Sequence, residues 1–180
     1  QGRGIFLFTK LKDIAKWKSE HRWKPENNEV ETYVVQRYIN RPYLVGGKKF
    51  DLRLYALVTS FSQLTCYLYR RGFCRFSSTR YTNSTSSGDM SNLYMHLTNV
   101  AIQKQGDEYN ASTGGKWDLR KLKLYMMSRH GAAAVDKLFY DIQRIILHSL
   151  FAVQPVIMND KHCFELYGYD IMIDEDLRPW

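Results

Sequence analysis

Three charged residues alternate along one short stretch of the chain. Lys49, Asp51 and Arg53 are separated by single apolar residues, and in a β-strand they would share one face, each about 7 Å from the next. The other face would carry an unbroken apolar row: Phe50, Leu52, Leu54, Ala56 and Val58. The stretch therefore predicts a core-facing strand over residues 48–58. Its charged face is either a solvated surface with cross-strand ion pairs or a cation-rich wall of a phosphate site, and the strand alone leaves both interpretations open.

Polar residues with possible chemical roles also occur in three later segments. Arg75 lies in the short apolar segment 73–76, where the simplest interpretation is an ordinary edge-strand arginine. Thr98 and Asn99 precede a short apolar run at what we take to be a strand entry, so spacing alone gives them a structural, turn-forming role. Asp170 lies inside an apolar segment, where a carboxylate is costly unless it pairs with an arginine or binds Mg²⁺.

The elements that must position these residues follow from the hydrophobic pattern. Residues 32–40 are rich in β-branched and aromatic side chains and predict a buried strand. Residues 64–70 and 73–76, separated at Gly72, predict two more strands. With the 48–58 strand and short links they indicate an antiparallel meander. Residues 161–173 predict a last strand.

Helical spacing appears in three places. A short helix follows Thr9, a second begins at Asp118 as its N-cap and ends near Gly131, and a long one continues until Pro155. Residues 79–91 and 103–117 are polar and predict loops. The fold class that emerges is α+β, with mostly antiparallel sheets and packed helices.

Composition narrows the class of protein. The 180 residues are 44% hydrophobic and 14% aromatic, which excludes a disordered chain. No apolar run is long enough to span a bilayer, and three cysteines without metal-type spacing favour a reduced compartment. The net charge is +8, with 16 Lys/Arg against 6 Asp/Glu in residues 1–80. A basic first half predicts an acidic partner.

Four motifs together resemble the tubulin tyrosine ligase-like family over essentially the whole chain. They are Gln36-Arg37-Tyr38-Ile39, the segment 47–53, His96-Leu97-Thr98-Asn99 and the segment 163–170. The chain is most similar to the polyglutamylase branch, around the family's ninth and then its first member. The resemblance implies an ATP-grasp fold, with residues 1–45 in a nucleotide-loop and linker lobe and residues 46–180 in a C-terminal lobe.

The resemblance also implies roles for individual residues. Arg53 would help to hold the transferred phosphate, Asp170 would bind Mg²⁺, and Arg75 and Lys116 would bind carboxylates of the glutamate substrates. Gln1 would lie near both the phosphates and the target glutamate. The residues implied to contact ATP are Gln1, Gly2, Gln36, Arg37, Tyr38, Ile39, Lys49, Phe50, Asp51, Thr98 and Asn99.

The activity implied by the resemblance is ATP-dependent ligation of free L-glutamate to glutamate side chains of tubulin C-terminal tails through an acylphosphate. Fixed cations and Mg²⁺ suit that chemistry because they stabilise charge on the transferred phosphoryl group. The resemblance further implies cytoplasmic and cytoskeletal localisation, at the axoneme and basal body of cilia or flagella. It leaves room for accessory subunits and implies neither nucleic acid nor membrane as a partner.

The family pattern also contains residues that the printed chain lacks. A lysine precedes Gln1-Gly2 in that pattern, and a glutamate and an asparagine of the Mg²⁺ site follow Trp180. We therefore expect the chain to be part of a longer protein, and we expect these 180 residues alone not to ligate glutamate.

Two other classes of function remain open at this stage. The first is a non-catalytic module that binds tubulin tails or microtubules through its basic half. The second is a single-strand nucleic-acid binder, since basic and aromatic residues interleave, although no nucleic-acid module signature is present. ATP binding separates the ligase from the nucleic-acid binder.

Overall fold

The computed structural model describes residues 5, 7–20, 33–82, 92–106, 115–158 and 160–180. The elements, in chain order, are α1 Leu11–Glu20, β1 Leu44–Val45, β2 Lys48–Ser60, β3 Thr65–Leu68, β4 Phe73–Phe76, α2 Leu93–His96, α3 Val100–Gln103, β5 Lys116–Asp118, α4 Leu119–His130, α5 Ala132–Val153 and β6 Glu165–Ile171. Every strand pairing among these residues is antiparallel. This confirms the predicted α+β class.

The long strand β2 is the centre of the sheet. Its predicted apolar row is almost completely buried, which confirms the core-facing strand over residues 48–58. β3 and β4 pair with successive parts of one edge of β2, β6 pairs along its other edge, and β5 extends the sheet beyond β4. Because each neighbour pairs with β2 or with β4, the register of these two strands positions the whole charged face.

The predicted meander is wrong in its connectivity. β4 pairs with Phe50–Arg53 of β2 and β3 with Ala56–Ser60, so β3 and β4 are not neighbours in the sheet. The chain turns back to β2 at Gly72, where an added Cβ would lie 2.6 Å from the Arg53 carbonyl oxygen. This close approach to the β2 backbone is possible only without a side chain.

Three other local predictions are also wrong. Residues 33–40 form no strand and are largely exposed, because no strand of the described residues takes up their backbone hydrogen bonds; Thr32 lies outside the described residues. Val100–Gln103 is a short helix in place of a strand, capped by the Asn99 side chain. Lys116–Asp118 forms β5 where a loop is predicted, because the free edge of β4 pairs with it.

Helices complete the core on the apolar side of the sheet. Asp118 accepts a hydrogen bond from the Arg120 backbone N–H and begins α4, which ends at Gly131 with φ of 81°. α5 places Val135, Leu138 and Ile142 in the same buried cluster as Leu52 of β2. The predicted boundaries at Asp118, Gly131 and before Pro155 are confirmed, as are the first helix and a shorter last strand. Within the described residues, no helix combines the length and apolar character that a membrane span needs.

Candidate functional site

The charged face of β2 gathers residues that are far apart in the sequence. Strand pairing places Arg75 of β4 opposite Asp51 and Asp170 of β6 opposite Arg53. Directly paired residues of antiparallel strands point to the same face. The sheet therefore builds one surface from three strands, which we call the charged wall: Lys49, Asp51, Arg53, Arg75 and Asp170.

Two arginines and two carboxylates of the charged wall form a continuous ion-pair network. Arg75 donates from Nε to Asp51 Oδ1 over 3.0 Å, and its Nη2 pairs with the other oxygen of Asp51. The same Nη2 lies 2.8 Å from Asp170 Oδ1, which also accepts from Arg53 Nη1 over 2.6 Å. The hydrogen bond to Asp51 raises the pKa of Arg75 above its usual range, so this guanidinium stays charged.

The network bears on the two interpretations that the sequence left open for the charged face, a solvated surface with ion pairs and the wall of a phosphate site. Cross-strand ion pairs are present, but the face is not simply solvated, since the Asp51 side chain is 8% exposed and that of Arg75 is 15% exposed. Since β5 pairs with the outer edge of β4, the interpretation of Arg75 as an ordinary edge-strand arginine is also wrong. The outer pair remains accessible, because the Arg53 and Asp170 side chains are 33% and 52% exposed.

Lys49 lies next to the network in a small buried pocket of polar atoms. Its ammonium group donates to the Tyr38 hydroxyl over 3.1 Å and to the His96 carbonyl oxygen over 2.9 Å. Tyr38 in turn forms a 2.8 Å hydrogen bond with His96 Nδ1. Burial lowers the pKa of Lys49 to about 8, against the opposing effect of Asp51. The segment 36–39 and the segment 96–99 thus both meet β2 at Lys49.

The structure brings some of the other predicted residues close to this pocket. Thr98 and Asn99 are half-buried and lie two and three residues after His96. The Asn99 side chain accepts from the Ala101 backbone N–H over 2.9 Å, which confirms a structural role for Asn99, although it caps a helix and not a strand. Ile39 is half-buried beside Tyr38, whereas Gln36 and Arg37 are exposed.

Phe50 and Lys116 occupy different surroundings. The Phe50 side chain is 1% exposed and packs against Phe76 in the core, so only its backbone borders the charged wall. Lys116 is exposed on β5, directly opposite Arg75, with its ammonium group 5.1 Å from the centre of the Phe73 ring. Gln1 and Gly2 lie outside the described residues, and their predicted contacts stay predictions.

Sequence reasoning missed two residues that shape the site. Gly168 of β6 lies under Arg53: an added Cβ would approach the Arg53 Cζ and Nε atoms to 2.9 Å. A glycine inside a predicted strand is the pattern that could have indicated such a close approach. His96 holds both Tyr38 and Lys49, but nothing in its spacing distinguishes it from a core histidine.

Asp170 fits the role of one magnesium ligand but not that of a complete site. Both of its ion pairs use Oδ1, and no described residue bonds Oδ2. Among the described residues, no three His, Cys, Asp or Glu side chains are grouped to hold a metal. Mg²⁺ commonly takes one or two carboxylates and completes its shell with phosphate oxygens and water. A half-exposed carboxylate beside two arginines is compatible with that arrangement.

Comparison with known proteins gives a consistent picture. The model of the tubulin-tyrosine ligase family matches residues 1–180. The chain is 47% identical to a probable tubulin polyglutamylase TTLL9 of Bos taurus and 50% identical to a probable alpha-tubulin polyglutamylase Ttll1 of Tetrahymena thermophila, in each case over 100% of this chain and 44% of the relative. It is 37% identical to the tubulin monoglutamylase TTLL4 of Mus musculus, over 89% of this chain and 14% of that protein. The chain thus spans less than half the length of these relatives.

Proposed function

Because the chain belongs to the tubulin-tyrosine ligase family, whose fold is ATP-grasp-like, we propose that it carries the nucleotide- and glutamate-binding part of an ATP-dependent tubulin polyglutamylase. The similarity to polyglutamylases around the ninth and first members of the family supports this branch. The observation that carries the proposal is the charged wall, where two arginines converge on Asp170 beside the buried Lys49.

The reaction needs an activated carboxylate, because a free carboxylate does not react with an amine. In the proposed first step an oxygen of the target glutamate's γ-carboxylate attacks the γ-phosphorus of ATP, and ADP leaves. In the second step the amino group of free L-glutamate attacks the resulting acyl carbon, inorganic phosphate leaves, and the nitrogen loses a proton. The product is an isopeptide branch on a glutamate side chain of the tubulin tail.

The charged wall would act mainly by electrostatics and positioning. Arg53 uses Nη1 for Asp170, and the rest of its guanidinium lies over Gly168, partly accessible to a phosphoryl group. Lys49 would place a second cation against the nucleotide phosphates. Such fixed charges stabilise the developing charge of phosphoryl transfer without reorganisation at the moment of reaction.

Asp170 would contribute one oxygen ligand to a Mg²⁺ ion that accompanies the nucleotide. When present, that ion would neutralise part of the phosphate charge. Arg75 and Lys116 would bind substrate carboxylates. Within the described residues, the hydrogen bonds of Arg75 use Nε and Nη2, so Nη1 faces no described partner. Arginine suits this task because its planar fork can meet both oxygens of a carboxylate.

The remaining nucleotide contacts that we propose involve two other segments. Tyr38 and its neighbours in the segment 36–39 would meet the adenine, and Thr98 and Asn99 the ribose-phosphate side. We also propose that the protein acts on tubulin tails at the cytoskeleton, in axonemes and basal bodies, where the resembling family works. Accessory subunits are compatible with this proposal.

The proposal is tested by measuring ATP-dependent incorporation of labelled glutamate into tubulin with the full-length protein. Arg53→Ala should lower kcat by about 10²-fold or more, the size expected for a lost charge-stabilising donor. Thermal unfolding should stay nearly unchanged, since the Arg53–Asp170 pair is exposed. Arg144→Ala on the exposed surface of α5 is the matched control and should retain full activity.

Unchanged turnover in Arg53→Ala would remove the phosphate-site assignment. A wild-type protein that binds tubulin tails but neither binds ATP nor incorporates glutamate would instead support the non-catalytic tail-binding module.

A further inference from the structure

A concave surface lies outside the charged wall, between the turn that joins β3 to β4 and the first turns of α4. Its cavity volume is about 620 Å³, and we call it the α4 groove. The side chains that decide its chemistry are Tyr69, Arg70, Arg71, Asp118, Arg120 and Lys123.

The α4 groove carries a strong excess of positive charge. Four of these side chains are cations and one is a carboxylate, and within the described residues none of the four cations has a carboxylate within ion-pair distance. Asp118 is already engaged, because its carboxylate accepts from the Arg120 backbone N–H over 2.8 Å. The positive end of the α4 dipole adds to this excess. The ammonium group of Lys123 lies over the Phe139 ring, 3.8 Å from its centre, so the uncompensated cations are the three arginines. Uncompensated cations around a cavity favour a ligand with several negative charges.

Strand pairing relates one residue of the groove, Asp118, to the charged wall. Asp118 pairs with Phe73, and Phe73 pairs with Arg53. Two strand spacings of about 4.8 Å separate the backbone of Asp118, at the rim of the groove, from that of Arg53 by about 10 Å. An extended polypeptide advances about 3.3–3.6 Å per residue, so about three residues bridge this distance.

We propose that the α4 groove binds acidic side chains of the target polypeptide, about three residues from the glutamate held at the charged wall. The inference rests on the proposed ligase function for its register, but the binding itself does not require turnover. We commit to a peptide because the proposed ligase acts on an acidic polypeptide, whereas the sequence contains no nucleic-acid module signature. The exposed ring of Tyr69 offers an apolar surface to the peptide chain.

The test compares charge-reversal variants of the full-length protein. Arg70→Glu combined with Arg120→Glu changes two exposed groove cations. Arg144→Glu combined with Lys161→Glu is the matched control, because it changes two exposed cations outside the groove and the same net charge. Fluorescence anisotropy with a labelled peptide of alternating glutamate and glycine should show a Kd raised at least about tenfold in the double variant and less than about twofold in the control. The KM for ATP should stay within about twofold, because the groove does not touch the nucleotide.

A register experiment then tests the position. Peptides carry one target glutamate and a second glutamate placed one to eight residues away, with glutamine elsewhere. In the wild-type protein kcat/KM should be highest at a spacing of about three residues, and the double variant should lose this preference. If the wild-type protein shows no ligase activity, the proposed function fails, while the anisotropy comparison still decides whether the groove binds acidic peptides.

Three results would overturn the inference. The first is an unchanged peptide Kd in a double variant whose circular dichroism and unfolding temperature match the wild type. The second is an equal loss in the control that combines Arg144→Glu with Lys161→Glu, which would show only a net-charge effect. The third is a single-stranded oligonucleotide that binds more tightly than the peptide and loses that binding in the double variant.

Discussion

Replacing Gly168 by alanine should separate activity from stability at the charged wall. The new Cβ would lie 2.9 Å from Arg53 Cζ and Nε and 3.1 Å from Nη2. Ordinary contacts between such atoms are about 3.5–4.0 Å, so the guanidinium must move by roughly 0.6–1 Å. A displacement of that size in a positioning group can cost about 10²-fold in rate, or about 2.7 kcal/mol of transition-state stabilisation.

The same substitution should scarcely affect folding. The displaced atoms are the far end of a flexible side chain, and the exposed Arg53–Asp170 ion pair contributes about 0–1 kcal/mol. Alanine is also better than glycine in a strand interior by about 0.5–1 kcal/mol. The two effects nearly cancel, so the free energy of unfolding should change by less than about 1 kcal/mol.

Gly72→Ala is the contrasting variant, because its Cβ would meet the Arg53 backbone oxygen at 2.6 Å. A backbone atom of the central strand cannot move aside, so we expect a loss of about 1–3 kcal/mol or more in stability. The assays are urea unfolding and glutamate incorporation into tubulin by the full-length protein. Full activity in Gly168→Ala, or a stability loss as large as that of Gly72→Ala, would refute the placement of Arg53 over Gly168.

Three further predictions concern neighbouring groups. Burial lowers the pKa of Lys49 to about 8, and only the protonated amine attracts phosphate, so ATP affinity should fall progressively as the pH rises above 8. Calorimetry from pH 6.5 to 9.5 should show this fall in the wild type and not in Lys49→Met. Asp51→Asn should lower the free energy of unfolding by about 2–4 kcal/mol, since it weakens the largely buried bidentate pair of Asp51 with Arg75. If urea unfolding shows that the free energy falls by less than about 1 kcal/mol, Asp170 alone satisfies Arg75. Asp118→Ala should lose about 1 kcal/mol as an N-cap while Asp118→Asn keeps most of it; equal losses in thermal unfolding would contradict the capping role.

The parts of the fold that local pattern determines were predictable. The alternation from Phe50 to Val58 indicated β2 because period-two burial is a property of the strand itself. Asp118 and Gly131 marked the ends of α4 for local reasons. The Asp118 side chain accepts a backbone N–H of the first turn, and Gly131 adopts the positive φ at which the helix ends. None of these predictions depends on which other segment of the chain packs nearby.

Most of the failed predictions depend on distant partners. Residues 33–40 have the composition of a strand, but no strand in the described part of the chain pairs with them, whereas Lys116–Asp118 pairs with the free edge of β4. Propensity reports how well a residue fits a sheet and not whether a neighbouring strand is available. The order of the sheet was missed for the same reason, because Gly72 allows β4 to turn back to β2.

By itself the sequence determined the identity of the charged residues and placed Lys49, Asp51 and Arg53 on one face of one strand, because side chains of a strand alternate. It also carried the motifs of the family. Only the tertiary structure decided that Arg75 pairs with Asp51 and that Asp170 lies within reach of both arginines. Those contacts are set by the register between strands separated by tens of residues, and register follows from long-range packing that no local pattern encodes.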